Sequence, residues 1–207
     1  AGEDISFDVE LASKFKTKVL IVDPTPRSNV HVQEVLRQLD NHNTNQSSEL
    51  NKIEGIVSYD LKSISKDQLI YLNKAIWIKE EKVKFYMPPN INHVSYSIVD
   101  YQNNFAQTGE YIYVDAVRYI SLINSYNMKP EILKLDIEGA EYEVINDVLN
   151  YSLPNQVLLE YDELSDFSFP IIKRVKNTHK KLLNSGYILF KKEGSNFSYI
   201  LKNLSKI

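Results

Sequence analysis

Apolar residues at Phe7, Leu11 and Phe15 recur at every fourth position, the spacing of a helical face. The segment 18–22 behind them, aliphatic from Val19 to Val22, reads as a short buried strand closed by Asp23-Pro24. Thr25 followed by Pro26 is suited to cap and start a helix. Val32, Val35, Leu36 and Leu39 then supply an amphipathic stripe expected to stop near Asn41. The stretch 41–51, rich in Asn, Ser, Gln and Thr, reads as an exposed loop.

Further along, the pattern predicts a short strand around Ile56, a helix over 66–72, and strands at 75–78 and 83–87 paired as a hairpin before Pro88-Pro89. Residues 90–107 are polar and aromatic without a period, as in a long functional loop. Asp115 is placed to cap a helix carrying Ala116, Tyr119, Ile120 and Ile123. Beyond Pro130 follow a strand at 132–136, a helical stripe from Ala140 to Leu149 and a strand at 157–160. A last helix carries Ile172, Val175, Leu182 and Leu183 and ends at Asn184-Ser185-Gly186. The segments 187–191 and 197–201, joined around Gly194, read as a closing hairpin.

Strands separated by helices imply an α/β fold: a mainly parallel sheet with helices on both faces and, from the closing hairpin, an antiparallel edge. With no internal repeat and no dividing linker, residues 1–207 read as a single domain.

Composition narrows the function classes. The 207 residues carry 24 basic and 27 acidic side chains, a net charge of −3, with 43% apolar residues, the balance of an ordinary soluble domain. The absence of cysteine excludes a disulfide scaffold, a thiolate metal site and a cysteine nucleophile. Four histidines, none in a zinc-binding spacing, argue against a histidine metal centre. The near-neutral charge argues against a nucleic-acid scaffold, and no apolar run approaches a membrane span. A small or uncharged partner is expected and a cytoplasmic location is assigned; the oligomeric state is left open.

In an open α/β sheet, ligands bind beyond the carboxyl ends of the strands. Three strands are expected to end in acids: Asp23, Asp136 and Glu160. Each also has a plainer reading as a helix cap or dipole partner. Gly2 and Asp23 stand 21 residues apart across a helix and a strand. A nucleotide-binding half-unit uses this arrangement, with a glycine turn opening the helix and an acid near 20 residues on taking ribose hydroxyls. Pro24 holds Asp23 in an extended backbone. In Leu133-Lys134-Leu135-Asp136-Ile137-Glu138-Gly139-Ala140-Glu141, Asp136 falls at a strand tip, Gly139 permits a close approach, and Glu138 and Glu141 enter the next helix. For Glu141 the structural role is favoured; Asp136 and Glu138 are the functional candidates.

The segment 133–141 resembles the signature of the FkbM-type S-adenosylmethionine-dependent methyltransferases. Ala-Gly-Glu-Asp-Ile-Ser-Phe-Asp at 1–8 and Val-Asp-Pro-Thr-Pro at 22–26 resemble that family's glycine-loop and ribose-binding motifs. The resemblance implies a Rossmann-like, seven-stranded class I methyltransferase sheet with a reversed final strand. It implies further that Gly2 and Asp4 lie against the methionine portion of S-adenosylmethionine, that Asp23 with Pro24 grips the ribose, and that Ala75 and Ile76 flank the adenine. Asp136, with Glu138, would face the sulfonium and the acceptor. In that family the glycine loop follows the first, central strand, so the natural chain is expected to extend further at its N-terminus.

Methyl transfer to a hydroxyl of a sugar or small natural product needs alignment and a base. Asp136, Glu160 and His93 are the candidates for that base. Asp136 with Glu138 or Glu160 offers hard oxygen ligands to Mg²⁺, but strand-tip carboxylates are common and no metal site is assigned. Tyr86, Tyr96, Tyr101 and Tyr111 could wall a sugar, although 14 tyrosines must be housed somewhere. The rival readings are a non-catalytic Rossmann-like binding domain and a nicotinamide-dependent dehydrogenase. The second suits the glycine-to-acid spacing but lacks a three-glycine fingerprint.

Overall fold

The computed structural model describes residues 2–43, 59–88, 95–100, 109–165 and 168–202. It contains two compact units, Ala1–Ala75 and Ile76–Ile207.

The first unit runs α1 (Ser6–Phe15), β1 (Val19–Val22), α2 (Pro26–Asn43) and β2 (Leu69–Leu72). α1 forms as expected but buries a different face. Ile5, Val9 and Ala12 enter the core, while Phe7 and Phe15 are 40% and 64% exposed. A strict four-residue step drifts by about 40° around the helix at each repeat, whereas alternating steps of four and three stay in line. Against that face pack Ile21 of β1 and Val32, Val35 and Leu39 of α2. Thr25 Oγ accepts the Ser28 N–H at 3.4 Å, at the start of α2.

The helix expected over 66–72 is instead a single tight turn, Lys66–Gln68, followed by strand β2. Leu69-Ile70-Tyr71-Leu72 is a continuous apolar run, which periodicity alone does not divide between helix and buried strand. Parallel pairing with β1, from Val19↔Leu69 to Val22↔Leu72, decides it. Gln68 secures the junction by donating to the Ala12 carbonyl at 2.7 Å. The strand expected at Ile56 lies outside the described residues, as does most of the 41–51 loop; α2 itself continues to Asn43.

In the second unit, β3 (Ala75–Trp77, beginning at the join of the units), β4 (Lys82–Tyr86) and β5 (Tyr111–Arg118) form a sheet in the order β3-β5-β4. β3 and β4 are therefore not a hairpin. Residues 111–118 alternate, with Tyr111, Tyr113 and Asp115 on one face and Ile112, Val114 and Ala116 on the other, and this segment inserts between them. Asp115 is a strand residue opposite Lys82 rather than a helix cap, and α3 (Tyr119–Ser125) starts four residues later.

β6 (Ile132–Leu135), α4 (Glu141–Val148), β7 (Gln156–Glu160), α5 (Phe169–Asn184), β8 (Tyr187–Glu193) and β9 (Asn196–Leu201) complete the unit. Their sheet has the order β6-β7-β9-β8, with β6 and β7 parallel across α4 and the final strand antiparallel to both its neighbours. The described strands thus make three sheets of two, three and four strands, a mixed α/β architecture. No helix among the described residues is long and apolar enough to cross a membrane.

Gly186, just beyond α5, has φ +95° with nothing within 4 Å of an added Cβ, so its requirement is conformational rather than steric. Gly186→Ala is expected to cost about 1–2 kcal/mol, read as a lower midpoint in thermal unfolding with the fold retained.

Candidate functional site

In the first unit, strand β1 ends at Asp23 and the turn before α1 returns to it. The Gly2 N–H donates to Asp23 Oδ2 at 3.0 Å and the Thr25 N–H to Oδ1 at 2.8 Å. Gly2 has φ +56°, in the region a side chain disfavours. Tyr71 Oη donates to the Asp23 carbonyl at 2.7 Å, and the Asp23 N–H continues the β1–β2 ladder to Leu72 at 3.2 Å. Burial acts to raise the Asp23 carboxyl. The Gly2 and Thr25 donors act against it, and the group lies below the usual carboxylate value. A buried carboxylate is thereby kept ionised, with a backbone amide on each oxygen and the Thr25 hydroxyl as a further donor. Pro24 is half-buried beside it.

Asp4 is exposed at the start of α1. Its Oδ1 accepts the Ser6 N–H at 2.7 Å and the Tyr59 hydroxyl at 3.2 Å, and the Ser6 bond chiefly lowers its pKa. Tyr59 also accepts the Ile5 N–H at 2.8 Å and lies 2.9 Å from Nε2 of buried His31. Neither Tyr59 nor His31 was singled out by motif reasoning. The signal available was a histidine on the same α2 face as Val35, which usually means a hydrogen-bonded core residue. Ala75 and Ile76 are both buried, and Trp77 is half-buried.

The second unit gathers acids at the ends of β6 and β7. Asp136 follows β6 and is exposed. The loop then passes through Glu138 at φ +55° and Gly139 at φ +94° before α4. A left-handed glutamate is uncommon, and two contacts hold it. Ser97 Oγ donates to the Glu138 carbonyl at 2.6 Å. Glu141, only 1% exposed, folds back to accept the Ile137 N–H at 2.7 Å and the Gly139 N–H at 2.9 Å. Glu141 therefore has the structural role expected of it.

Carboxylate oxygens of Asp136, Glu138 and Asp162 lie within 4.8 Å of one another. Burial, together with repulsion from Asp162, Asp136 and Glu160, pushes the Glu138 carboxyl up to about 7 despite a bond from Ser95. Burial and the neighbouring acids push Asp162 up to about 6. Lys134 reaches Asp136 at 3.3 Å. Glu160 ends β7 and accepts Asn196 Nδ2 at 3.2 Å. Such an oxygen set matches the ligand chemistry of a divalent cation, but close acids near a surface also occur without one, sharing protons instead. Asp162 escaped the motif reading because it stands two residues past the strand tip, in a turn without a pattern of its own.

His93 and Tyr101 lie outside the described residues. The other expected wall tyrosines divide between two faces. Tyr86 and Tyr111 are cross-strand partners with ring centroids 6.1 Å apart, and the row extends to Tyr113 at 5.4 Å. Tyr96 instead stacks on buried Phe85 at 5.8 Å. Phe85 and Tyr86 are consecutive in β4 and so point oppositely.

A family model described as "Methyltransferase FkbM domain" matches residues 4–189. No curated protein and no solved structure gives a match.

Proposed function

Because the chain belongs to the FkbM methyltransferase family, we propose that it is an S-adenosylmethionine-dependent methyltransferase acting on a hydroxyl of a sugar or other small natural product. The single observation that carries the cofactor reading is the ionised, buried Asp23 tied to the Gly2 turn. Acceptor oxygens beside a glycine backbone suit a ligand with vicinal hydroxyls. In this proposal Asp23 and Pro24 take the ribose, Gly2 and Asp4 the methionine end, and Ala75 and Ile76 the adenine. The seven-stranded, mostly parallel class I sheet belongs to the same proposal, supported by the parallel β1–β2 and β6–β7 ladders and the reversed β9.

When bound, S-adenosylmethionine supplies a methyl group already activated on a sulfonium. The protein's part is to align the acceptor, exclude water and accept a proton. A carboxylate of the protein would take the proton that the acceptor hydroxyl gives up. Among Asp136, Glu138, Glu160 and Asp162, Glu138 is assigned the proton, since its carboxyl at about 7 is matched to neutral working conditions. Asp136 is assigned to orient the acceptor.

Calorimetry with S-adenosylhomocysteine tests the cofactor, and labelled methyl transfer to a panel of sugars and phenolic or polyketide alcohols tests the acceptor. Micromolar-range binding is expected, with a rate that rises through pH 7 and loses that rise in Glu138→Gln. Absence of binding overturns the reading in favour of a non-catalytic domain; binding of a nicotinamide cofactor instead points to the dehydrogenase.

A further inference from the structure

The phenolic oxygen of Tyr59 is the meeting point of three groups in the first unit. The Ile5 N–H donates to it at 2.8 Å, Asp4 Oδ1 lies at 3.2 Å and His31 Nε2 at 2.9 Å. A phenol has one proton and two lone pairs. The Ile5 amide uses one lone pair, and the proton goes to the Asp4 carboxylate, which has none to give. The remaining lone pair must meet a proton on His31, so the imidazole is fixed with hydrogen on Nε2. Burial lowers the His31 pKa against the pull of Asp4 and Glu3, and it raises that of Tyr59 to about 12, so both stay neutral.

These bonds tie α2, which carries His31, to the turn that opens α1. They converge on Asp4 and Ile5, the residues following the Gly2 turn, and add to the bond by which the Ser6 N–H of α1 donates to Asp4 Oδ1. α1 begins after Ile5 without a side-chain cap on that residue. We propose that Tyr59 and His31 are positioning residues for the methionine end of the cofactor, acting through Asp4. His31 orients the Tyr59 hydroxyl, Tyr59 orients the Asp4 carboxylate and the Ile5 amide, and Asp4 meets the ligand's ammonium group. This rests on the cofactor reading above and goes beyond it by naming what sets the turn.

The test compares two ligands by calorimetry on the full chain. S-adenosylhomocysteine carries the amino-acid end; 5′-methylthioadenosine lacks it. Tyr59→Phe is expected to weaken S-adenosylhomocysteine roughly tenfold and to leave methylthioadenosine unchanged. His31→Leu is expected to act in the same direction by about fivefold. His31→Gln, whose amide can donate from nearly the same place, is expected to restore affinity to within about twofold. Equal losses for both ligands would mean general loosening of the unit and would overturn the proposal. So would unaltered S-adenosylhomocysteine binding in Tyr59→Phe and His31→Leu, or a glutamine variant no better than leucine. Wild-type protein that binds neither ligand would overturn the cofactor reading itself, a result distinct from selective failure of the variants.

Discussion

Asp23→Ala is expected to weaken S-adenosylhomocysteine binding by more than about a hundredfold, the largest functional effect of any single change in the first unit. The carboxylate has two duties. It holds the Gly2 turn through Oδ2 and the Thr25 N–H, at the entry to α2, through Oδ1, and in the proposed function it also takes ribose hydroxyls. Alanine removes all of these. It leaves two amide donors without their partner in a site the side chain nearly closes, at a stability cost on the order of 3 kcal/mol.

The pH dependence separates the two duties. The folded pKa of Asp23 is below its unfolded value, so its stabilising contribution is present above the unfolded pKa near 3.8 and is lost as pH falls through the folded value. Denaturation curves of wild type and Asp23→Ala should therefore converge in acid, while at neutral pH they stay apart. Asp23→Asn keeps one oxygen acceptor and should fold better than alanine while still binding poorly. Wild-type affinity in Asp23→Ala would remove Asp23 from the cofactor site.

What could be read from the sequence follows from how local each signal is. The place of Asp23 just past a strand, behind a glycine turn and a helix, was legible from spacing, whereas its bond from the Gly2 N–H came only with the fold. Glu141 was legible as structural because a carboxylate at the start of a helix finds amide donors nearby. β2 was not: Leu69-Ile70-Tyr71-Leu72 is apolar throughout, and only the parallel ladder to β1, about fifty residues away in sequence, makes it a strand. The same holds for β5, whose alternation is clear once residues 111–118 are taken together but is masked if Asp115 is taken as a cap. The face of α1 was misjudged because bulky Phe7 and Phe15 outweighed smaller Ile5, Val9 and Ala12 in the pattern. His31, Tyr59 and Asp162 come to the sites by tertiary placement, and no motif announces them. The expected pair Tyr86 and Tyr111 does meet, whereas Tyr96 belongs with the core side of the sheet through Phe85.

The largest stability effect is expected at Glu141. Its two oxygens hold the Ile137 and Gly139 amides of the loop that carries Asp136 and Glu138, and it is buried, with Glu163 near enough to repel its charge. Glu141→Ala orphans both amides and opens a cavity, and should cost about 2–5 kcal/mol in chemical denaturation. Methyl transfer should fall with it, because Glu138 loses the fold-back that fixes its left-handed backbone.

Glutamine decides which protonation state the loop uses. Burial first, and then Glu163, raise the Glu141 carboxyl to about 8 against the amide donors. With a folded pKa above the unfolded 4.5, this group's contribution to stability is complete below about pH 4.5 and declines as pH climbs toward 8. Glu138 and Asp162, also raised, add to the decline with the same sign. Wild type should therefore be less stable at pH 8 than at pH 5. Glu141→Gln, which keeps one oxygen acceptor but turns an NH2 toward the other amide, should cost less than alanine and, being unable to ionise, make the profile shallower. A glutamine variant as unstable as alanine at pH 7, or a wild type that gains stability toward pH 8, would show that the amide donors win over burial and that the loop is held by an ionised carboxylate.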